Sequence, residues 1–155
     1  MKNYLTNLVL CGLLTISYQA SAADPTELLI KLQRDIFKEM LRSHGPQIED
    51  KAVLTWCELK DLAEEIGLSK NGLKRAVYDS FIVAGTQNVQ ATEIARQMND
   101  DDWDIYNNSL FSDLSRYQQG IQRGLYTAYP TEKAKADFCQ QAEQKAFKTA
   151  QTVSH

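Results

Sequence analysis

Few residues in this sequence interrupt a helix. Of 155 residues only 3 are proline and 7 are glycine, and the glycines fall mostly between apolar segments. No stretch alternates apolar and polar residues as a half-buried strand does. Apolar residues recur instead every three or four positions, which is the period of a helix that buries one face. The pattern predicts an all-α protein.

Histidine and cysteine are also scarce, which narrows the possible chemistry. The histidines are His44, just before a Gly-Pro pair, and His155 at the end of the sequence. Neither stands in a pattern that supports a hydrolytic triad. The sequence has no CxxC, no HExxH and no phosphate-binding glycine loop. We therefore predict a protein that is not an enzyme and that needs no cofactor.

The acidic segment NDDDWD invites comparison with a calcium-binding loop. Asp100, Asp102 and Asp104 have suitable spacing, but such a loop needs glycine at its sixth position and glutamate at its twelfth. Those positions hold Ile105 and Phe111. Acidic residues also cap the free amides at a helix start. We therefore predict a helix start here and no metal site.

The first 22 residues have the layout of a secretory signal peptide. Lys2 gives a basic start, an apolar run extends from Leu8 to Tyr18, and the small residues ASA occupy 20–22. The run is shorter than the roughly 20 residues that cross a bilayer. Apolar residues continue past Cys11, so we expect neither a lipid anchor nor another stable membrane anchor.

Export has consequences for the rest of the chain. We predict that residues 1–22 are removed and that residues 23–155 form one helical domain in the periplasm. Cys57 and Cys139 remain in that domain, and their spacing fits no zinc site. Because an oxidising compartment favours disulfides, we expect these two cysteines to pair. Two buried free thiols are the alternative.

The apolar spacing predicts a bundle of about five to six helices. The first begins with Asp24 as cap and Pro25 in the first turn, and ends at the Gly-Pro pair 45–46. A second runs from about residue 49 to 66. The disulfide would join this second helix to the last one.

The remaining helices follow the same logic. The third helix begins at Ser69 and precedes a softer stretch at 85–90, and a short helix covers 91–98. The longest helix begins after NDDD and ends before Pro130, and a last helix carries Cys139. One face of the longest helix is apolar at steps of three and four residues: Trp103, Tyr106, Leu110, Leu114, Tyr117, Ile121, Leu125 and Ala128.

The segment LKDLAEEIGLSKNGLKRAV has the spacing of a DNA-binding helix-turn-helix, with Gly67 in the turn. In that interpretation Ser69, Lys70, Asn71 and Lys74 would face a DNA groove. Export and the formal net charge of −3 argue against nucleic acid, because phosphate contacts supply most of that affinity. We therefore predict an ordinary helical corner and no nucleic-acid partner.

Two further surface features concern partners. Gly120 and Gly124 flank the apolar face of the longest helix, so we expect them to admit a neighbouring helix or, in a homodimer, a second copy. Large apolar residues outside that face are candidates for a protein contact, and the acidic residues nearby would favour a basic partner. The predicted partner-binding residues are Asp100, Asp101, Asp102, Asp104, Ile105, Phe111 and Tyr126.

Short pieces of the chain resemble three groups of exported proteins. Tyr117-x-x-Gly120 followed by Phe138-Cys139, in a small helical protein with one disulfide, resembles periplasmic immunity proteins that neutralise cell-wall-degrading toxins of type VI secretion. TWCE at 55–58 and CQQAEQKAF at 139–147 are similar to periplasmic acid-stress chaperones, although the cysteines here lie further apart. The second piece is also similar to pilotins, which assist secretion channels.

The first resemblance implies an inhibitor that occludes the cleft of a toxin. We therefore expect a periplasmic protein that binds a protein partner in an immunity role. The softer stretch and the acidic start of the longest helix are the expected contact regions. A chaperone or a secretion accessory protein is the alternative, and a DNA-binding protein is a more distant one.

Overall fold

The computed structural model describes residues 24–154, and every regular element in that range is an α-helix. The predicted all-α bundle is confirmed. Its six helices are α1 (Pro25–Trp56), α2 (Lys60–Glu65), α3 (Lys70–Gln87), α4 (Val89–Ala95), α5 (Asp100–Ala128) and α6 (Glu132–Val153). The predicted signal peptide and His155 lie outside the described residues.

α1 begins where the sequence predicts and ends where it does not. The Thr26 N–H donates to Asp24 Oδ1 at 3.0 Å, and Pro25 occupies the first turn. The predicted end at the Gly-Pro pair is wrong, because α1 continues through Pro46 to Trp56. Residues beyond the proline, such as Ile48, are fully buried in the core. Burial on this side of the proline offsets the lost backbone hydrogen bond.

The predicted second helix is divided in two. Glu58 adopts a left-handed backbone conformation with φ of 63°. Its N–H donates to Thr55 O at 3.1 Å, and the Leu59 N–H donates to Leu54 O at 2.7 Å. This is the Schellman arrangement that satisfies the last carbonyls of a helix. The residues predicted to form one helix therefore belong to α1 and to the short α2.

The corner between α2 and α3 explains the helix-turn-helix spacing by local geometry. Gly67 has φ of 79°, and the Leu68 N–H donates to Ala63 O at 2.7 Å. Ser69 Oγ accepts from the Gly72 N–H at 3.1 Å and caps α3. A Cβ at Gly72 would collide with the carbonyl oxygen of Gly67. Both glycines are thus required by the tight turn.

The predicted soft stretch at 85–90 is wrong. α3 extends to Gln87, and α4 begins directly after its cap Asn88. Gly85 is buried, and Thr92 Oγ1 donates to its carbonyl at 3.1 Å. A Cβ at Gly85 would lie only 3.0 Å from Thr92 Oγ1, so the glycine allows α3 and α4 to approach closely. Gly85 suggested a loop in the sequence, but in the structure it allows close packing of two helices.

The two C-terminal helices agree with prediction. Asn99 and Asp102 form a reciprocal capping box at the start of α5, and Pro130 follows its end. α6 is capped by Thr131. Of the predicted apolar face of α5, Tyr106, Leu110 and Leu114 are the buried members.

Two apolar clusters share α1 as their central helix. The larger cluster joins α1 to α3, α4 and α5, and the smaller joins the last turns of α1 to α2 and α6. From α1, Leu32, Ile36, Met40 and Ile48 enter the larger cluster, and Leu54 enters the smaller one.

The predicted disulfide is confirmed, with one change in the helices that it joins. Cys57 and Cys139 are bonded with their Cα atoms 5.6 Å apart. Cys57 directly follows α1, so the bond ties α6 to the end of α1. Lys145 Nζ lies 2.8 Å from Asp50 Oδ1 and adds an ion pair between the same two helices.

Candidate functional site

A groove of about 680 Å³ opens between α3 and α5, and we call it the α3–α5 groove. α3 lines it with Lys70, Lys74, Val77, Tyr78 and Phe81. α5 lines it mainly with Trp103, Asp104, Tyr106, Asn107, Asn108 and Phe111.

The groove exists because α3 and α5 both pack on α1 through their buried faces. Val77 and Leu110 belong to the larger cluster and also line the groove. Phe81, late in α3, lies beside Trp103, early in α5, with ring centroids 5.6 Å apart. Phe81 and Trp103 therefore mark one end of the groove. Lys70 lies at the end opposite Trp103.

Aromatic rings from both helices line this groove. Trp103 contacts Phe81 and Tyr106 edge to face, each at 5.6 Å between centroids. Tyr78, on α3 with Phe81, is 58% exposed. The rings hold each other in fixed positions, so this lining is formed before any partner arrives.

Tyr106 has the least satisfied polar group in the groove. The residue is 7% exposed, and its hydroxyl has no hydrogen-bond partner within residues 24–154. Burial raises the pKa of the Tyr106 hydroxyl, so the group is neutral at physiological pH. Leaving a buried hydroxyl unpaired costs about 1–3 kcal/mol. The oxygen is also closed to solvent, so this cost lies within the fold itself.

The two ends of the groove differ in charge. Lys70 and Lys74 stand at one end, and Asp104 stands near Trp103 at the other. None of the three forms an ion pair with another residue in the described part of the chain. Their charges are therefore available to a partner.

The predicted partner-binding residues do not form one site. Asp104 and Phe111 line the α3–α5 groove, whereas Ile105 is 70% exposed and does not. Tyr126 lies near the other end of α5, about 33 Å from Asp104 by helix rise. Its ring stands perpendicular to that of Trp56, with centroids 5.4 Å apart. Tyr126 thus belongs to the disulfide end of the molecule.

The acidic residues at the start of α5 also separate into two groups. Asp102 is used in the capping box with Asn99, and its carboxylate accepts the Asn99 N–H at 3.2 Å. Asp100 and Asp101 are exposed in the same turn. These three stabilise the helix start, and Asp104 alone among the four acids lines the groove.

Sequence reasoning missed most of the groove. The apolar spacing correctly places Trp103 and Tyr106 on the apolar face of α5. It does not show that both residues also line an open groove. Lys70 and Lys74 were noticed only as DNA-facing residues in the helix-turn-helix interpretation. Aromatic residues beside polar ones on α3 and α5 were the available signal.

A second cavity, of about 370 Å³, lies between α1, α2 and α6. Its walls are mostly apolar, with Leu54, Ile66, Phe138 and Ala146 among them, and the ion pair of Asp50 with Lys145 lies at its edge. It adjoins an aromatic cluster at the disulfide end. There Trp56 contacts Tyr126, Tyr129 and Phe138, and Lys135 Nζ lies 5.0 Å from the Trp56 ring.

Other features of residues 24–154 offer no comparable site. No group of three histidine, cysteine or acidic side chains in this range could hold a metal ion. No helix in this range is both long and apolar enough to cross a membrane. Gly120 and Gly124 are exposed, and a Cβ at either would meet nothing within 4 Å. The expectation that they admit a neighbouring helix of the same chain is wrong.

No protein-family model, curated protein or solved structure matches the chain.

Proposed function

We propose that this protein is a non-enzymatic periplasmic protein that binds a protein partner through the α3–α5 groove. The observation that carries the proposal is an open groove lined by aromatic rings, in which Lys70, Lys74 and Asp104 form no ion pair within the described residues. Aromatic side chains are enriched at protein interfaces, where a ring supplies contact area and a polar tip supplies a hydrogen bond.

Binding is favoured over catalysis by the residues in the groove. Its lining includes no histidine, cysteine or serine, the groups most used for nucleophilic and acid–base chemistry. Lysine, aspartate and asparagine side chains there are suited to electrostatic and hydrogen-bond recognition.

The role that we propose is immunity: the protein occludes the cleft of a secreted toxin of the type VI kind. Two supports come from the sequence: the predicted signal peptide, and the resemblance of Tyr117-x-x-Gly120 and Phe138-Cys139 to such proteins. The third is that the α3–α5 groove is built on two helices. A preformed surface loses little conformational entropy on binding, which favours a tight inhibitor.

A periplasmic chaperone is the second candidate, and one surface feature favours it. Tyr78 in the groove and Ile82 and Val89 outside it, on α3 and α4, are exposed by 58%, 48% and 72%. Exposed apolar side chains of this kind could hold unfolded clients. A chaperone of the acid-stress type would unfold in part and bind a hydrophobic dye at low pH. An inhibitor would stay folded at low pH and would bind a single target protein.

The test is capture of a partner from periplasmic extract by the exported protein, followed by mass spectrometry and by titration with the purified partner. Tyr78→Ala in the groove is compared with Tyr126→Ala, which has similar exposure at the other end of α5. We expect one stoichiometric partner, at least tenfold weaker binding by Tyr78→Ala and little change by Tyr126→Ala. A protein that stays in the cytosol, or a groove variant that binds as well as the wild type, would refute the proposal.

A further inference from the structure

We infer that the α3–α5 groove accepts an extended segment of four to five residues from the partner. The segment places an acidic side chain at the end of Lys70 and Lys74, an aromatic or apolar side chain at the centre, and a basic side chain beside Asp104. This inference rests on the proposed function and specifies the chemistry of the partner at that site.

The length of the groove sets the length of the segment. An α-helix rises 1.5 Å per residue, so Trp103 and Phe111 are about 12 Å apart along α5. Lys70 and Phe81 are about 16 Å apart along α3 by the same rise. An extended chain rises about 3.3 Å per residue, so four to five residues span this distance.

The charges set the order of side chains along the segment. Asp104 follows Trp103 in sequence, and Trp103 contacts Phe81, whereas Lys74 and Lys70 precede Phe81 by about two and three turns of α3. A segment with one acid and one base would meet an opposite charge at each end. A segment with two like charges would meet a like charge at one end.

The centre of the groove combines an apolar surface with one buried polar atom. Val77 and Leu110 are both buried, and the aromatic ring of Tyr106 lies beside them. The Tyr106 hydroxyl is closed to solvent, so the segment meets the ring of Tyr106 and not its oxygen. Asn107 and Asn108 supply hydrogen-bond donors and acceptors on the same helix.

The same features disfavour other ligands. A nucleic acid or a free phosphate would be attracted by Lys70 and Lys74 but repelled by Asp104. An apolar ligand would leave all three charges unpaired. A bipolar peptide segment satisfies each group.

The test uses three blocked pentapeptides as probes: Asp-Ala-Tyr-Ala-Lys, Asp-Ala-Tyr-Ala-Asp and Lys-Ala-Tyr-Ala-Lys. Each is titrated into the ¹⁵N-labelled exported protein at low salt, and binding is measured from NMR shifts of groove amides. We expect Asp-Ala-Tyr-Ala-Lys to bind about fivefold tighter than either other peptide. In each of the others, a like-charge contact replaces one solvent-screened ion pair. Added salt should reduce the difference.

Two variants sharpen the test. Lys70→Glu with Lys74→Glu makes both ends of the groove acidic, so the Lys-Ala-Tyr-Ala-Lys peptide should become the tightest of the three. Lys60→Glu with Lys148→Glu changes the net charge equally at exposed positions outside the groove, and should keep the wild-type order.

Equal affinity for the three peptides, an unchanged order in the first variant, or no binding at millimolar concentration would overturn the inference. The proposed function is judged separately, by partner capture. If Tyr78→Ala abolishes capture but the peptides show no charge preference, the binding role stands and the segment does not. If the peptide order holds but no partner is captured, the segment chemistry stands and the proposed role fails.

Discussion

Glu58 and Gly67 end consecutive helices in the same left-handed backbone conformation, with φ values of 63° and 79°. At each, the next residue donates to a carbonyl five positions back, Leu59 to Leu54 and Leu68 to Ala63, both at 2.7 Å. Glycine adopts this conformation without strain, whereas a residue with a Cβ is disfavoured by about 1 kcal/mol. The end of α1 therefore uses the less suitable residue for the same turn.

Replacing Glu58→Gly should stabilise the protein by about 1 kcal/mol, because it removes the Cβ from a left-handed position. The free energy of unfolding is measured by urea denaturation. Glu65→Gly is the matched control, since it places glycine within α2 and should destabilise by about 1 kcal/mol. Destabilisation by Glu58→Gly would contradict the assigned turn.

Replacing Pro46→Ala should stabilise the protein by about 1–3 kcal/mol. Alanine restores an N–H that can donate to Arg42 O and removes the clash of the proline ring with that carbonyl. Pro46 is exposed, so the change leaves the core intact. Gln47→Ala, at the neighbouring exposed position, should shift the free energy of unfolding by less than about 0.5 kcal/mol. Equal effects of the two substitutions would argue against a continuous α1.

Replacing both Cys57→Ser and Cys139→Ser should destabilise the protein by about 4 kcal/mol, because the bond closes a loop with a sequence separation of 82. α6 packs on the end of α1 and on α2, so its amides should lose the most protection in hydrogen exchange. A reductant should destabilise the wild type in the same way and leave the double variant unchanged. Equal stability of the two proteins without reductant would refute this.

Replacing Tyr106→Phe should raise the free energy of unfolding by about 1 kcal/mol, because it removes a buried hydroxyl that has no partner. Tyr117→Phe is the contrast. The Tyr117 hydroxyl donates to Glu49 Oε1 at 3.3 Å, so its removal should be neutral or slightly destabilising. Thermal unfolding of both variants measures the difference. A loss of stability in Tyr106→Phe would show that the hydroxyl has a partner in the free protein.

Stability should fall as the pH drops from about 4.5 towards 2, in part through Glu39. Hydrogen bonds from the Arg42 guanidinium, at 2.6 and 2.9 Å, and then from Ser43 Oγ, at 2.7 Å, lower the pKa of Glu39 from 4.5 to about 2. Since the pKa is lower in the folded state, the stabilising contribution is complete above pH 4.5 and is lost as the carboxylate takes up a proton.

Urea denaturation across this pH range measures the effect of Glu39. Glu39→Gln should reduce the slope of stability against pH between 4.5 and 2, whereas Glu65→Gln on the exposed side of α2 should not. An unchanged slope in Glu39→Gln would mean that other carboxylates account for the acid sensitivity. The same curves bear on the two proposed roles, because a chaperone activated by acid must lose structure in this range.

The elements that the sequence predicted are those that local chemistry determines. Asp24 and Ser69 cap their helices with their own side chains, and Pro130 follows the end of α5. Each of these signals acts within a few residues, so it can be read without knowing the fold. The cysteine pair was predictable for a different reason, since the expected export left two thiols in an oxidising compartment.

The wrong predictions have a common cause in packing between distant residues. Pro46 does not end α1 because burial of Ile48 beyond it holds the helix together. Glu58 carries no sequence signal for a left-handed turn, and Gly85 is a contact point for Thr92 rather than a loop residue. The α3–α5 groove is the space between two helices that meet through α1, so no periodicity in either segment encodes it.

The shared position of α1 has a consequence for how the molecule melts. Both apolar clusters include side chains of this one helix, so each loses packing if α1 unwinds. Heating should therefore produce a single cooperative transition, in which the calorimetric and van't Hoff enthalpies agree. A partner that binds the groove would, by the same coupling, raise the melting temperature reported by Trp56 at the far end.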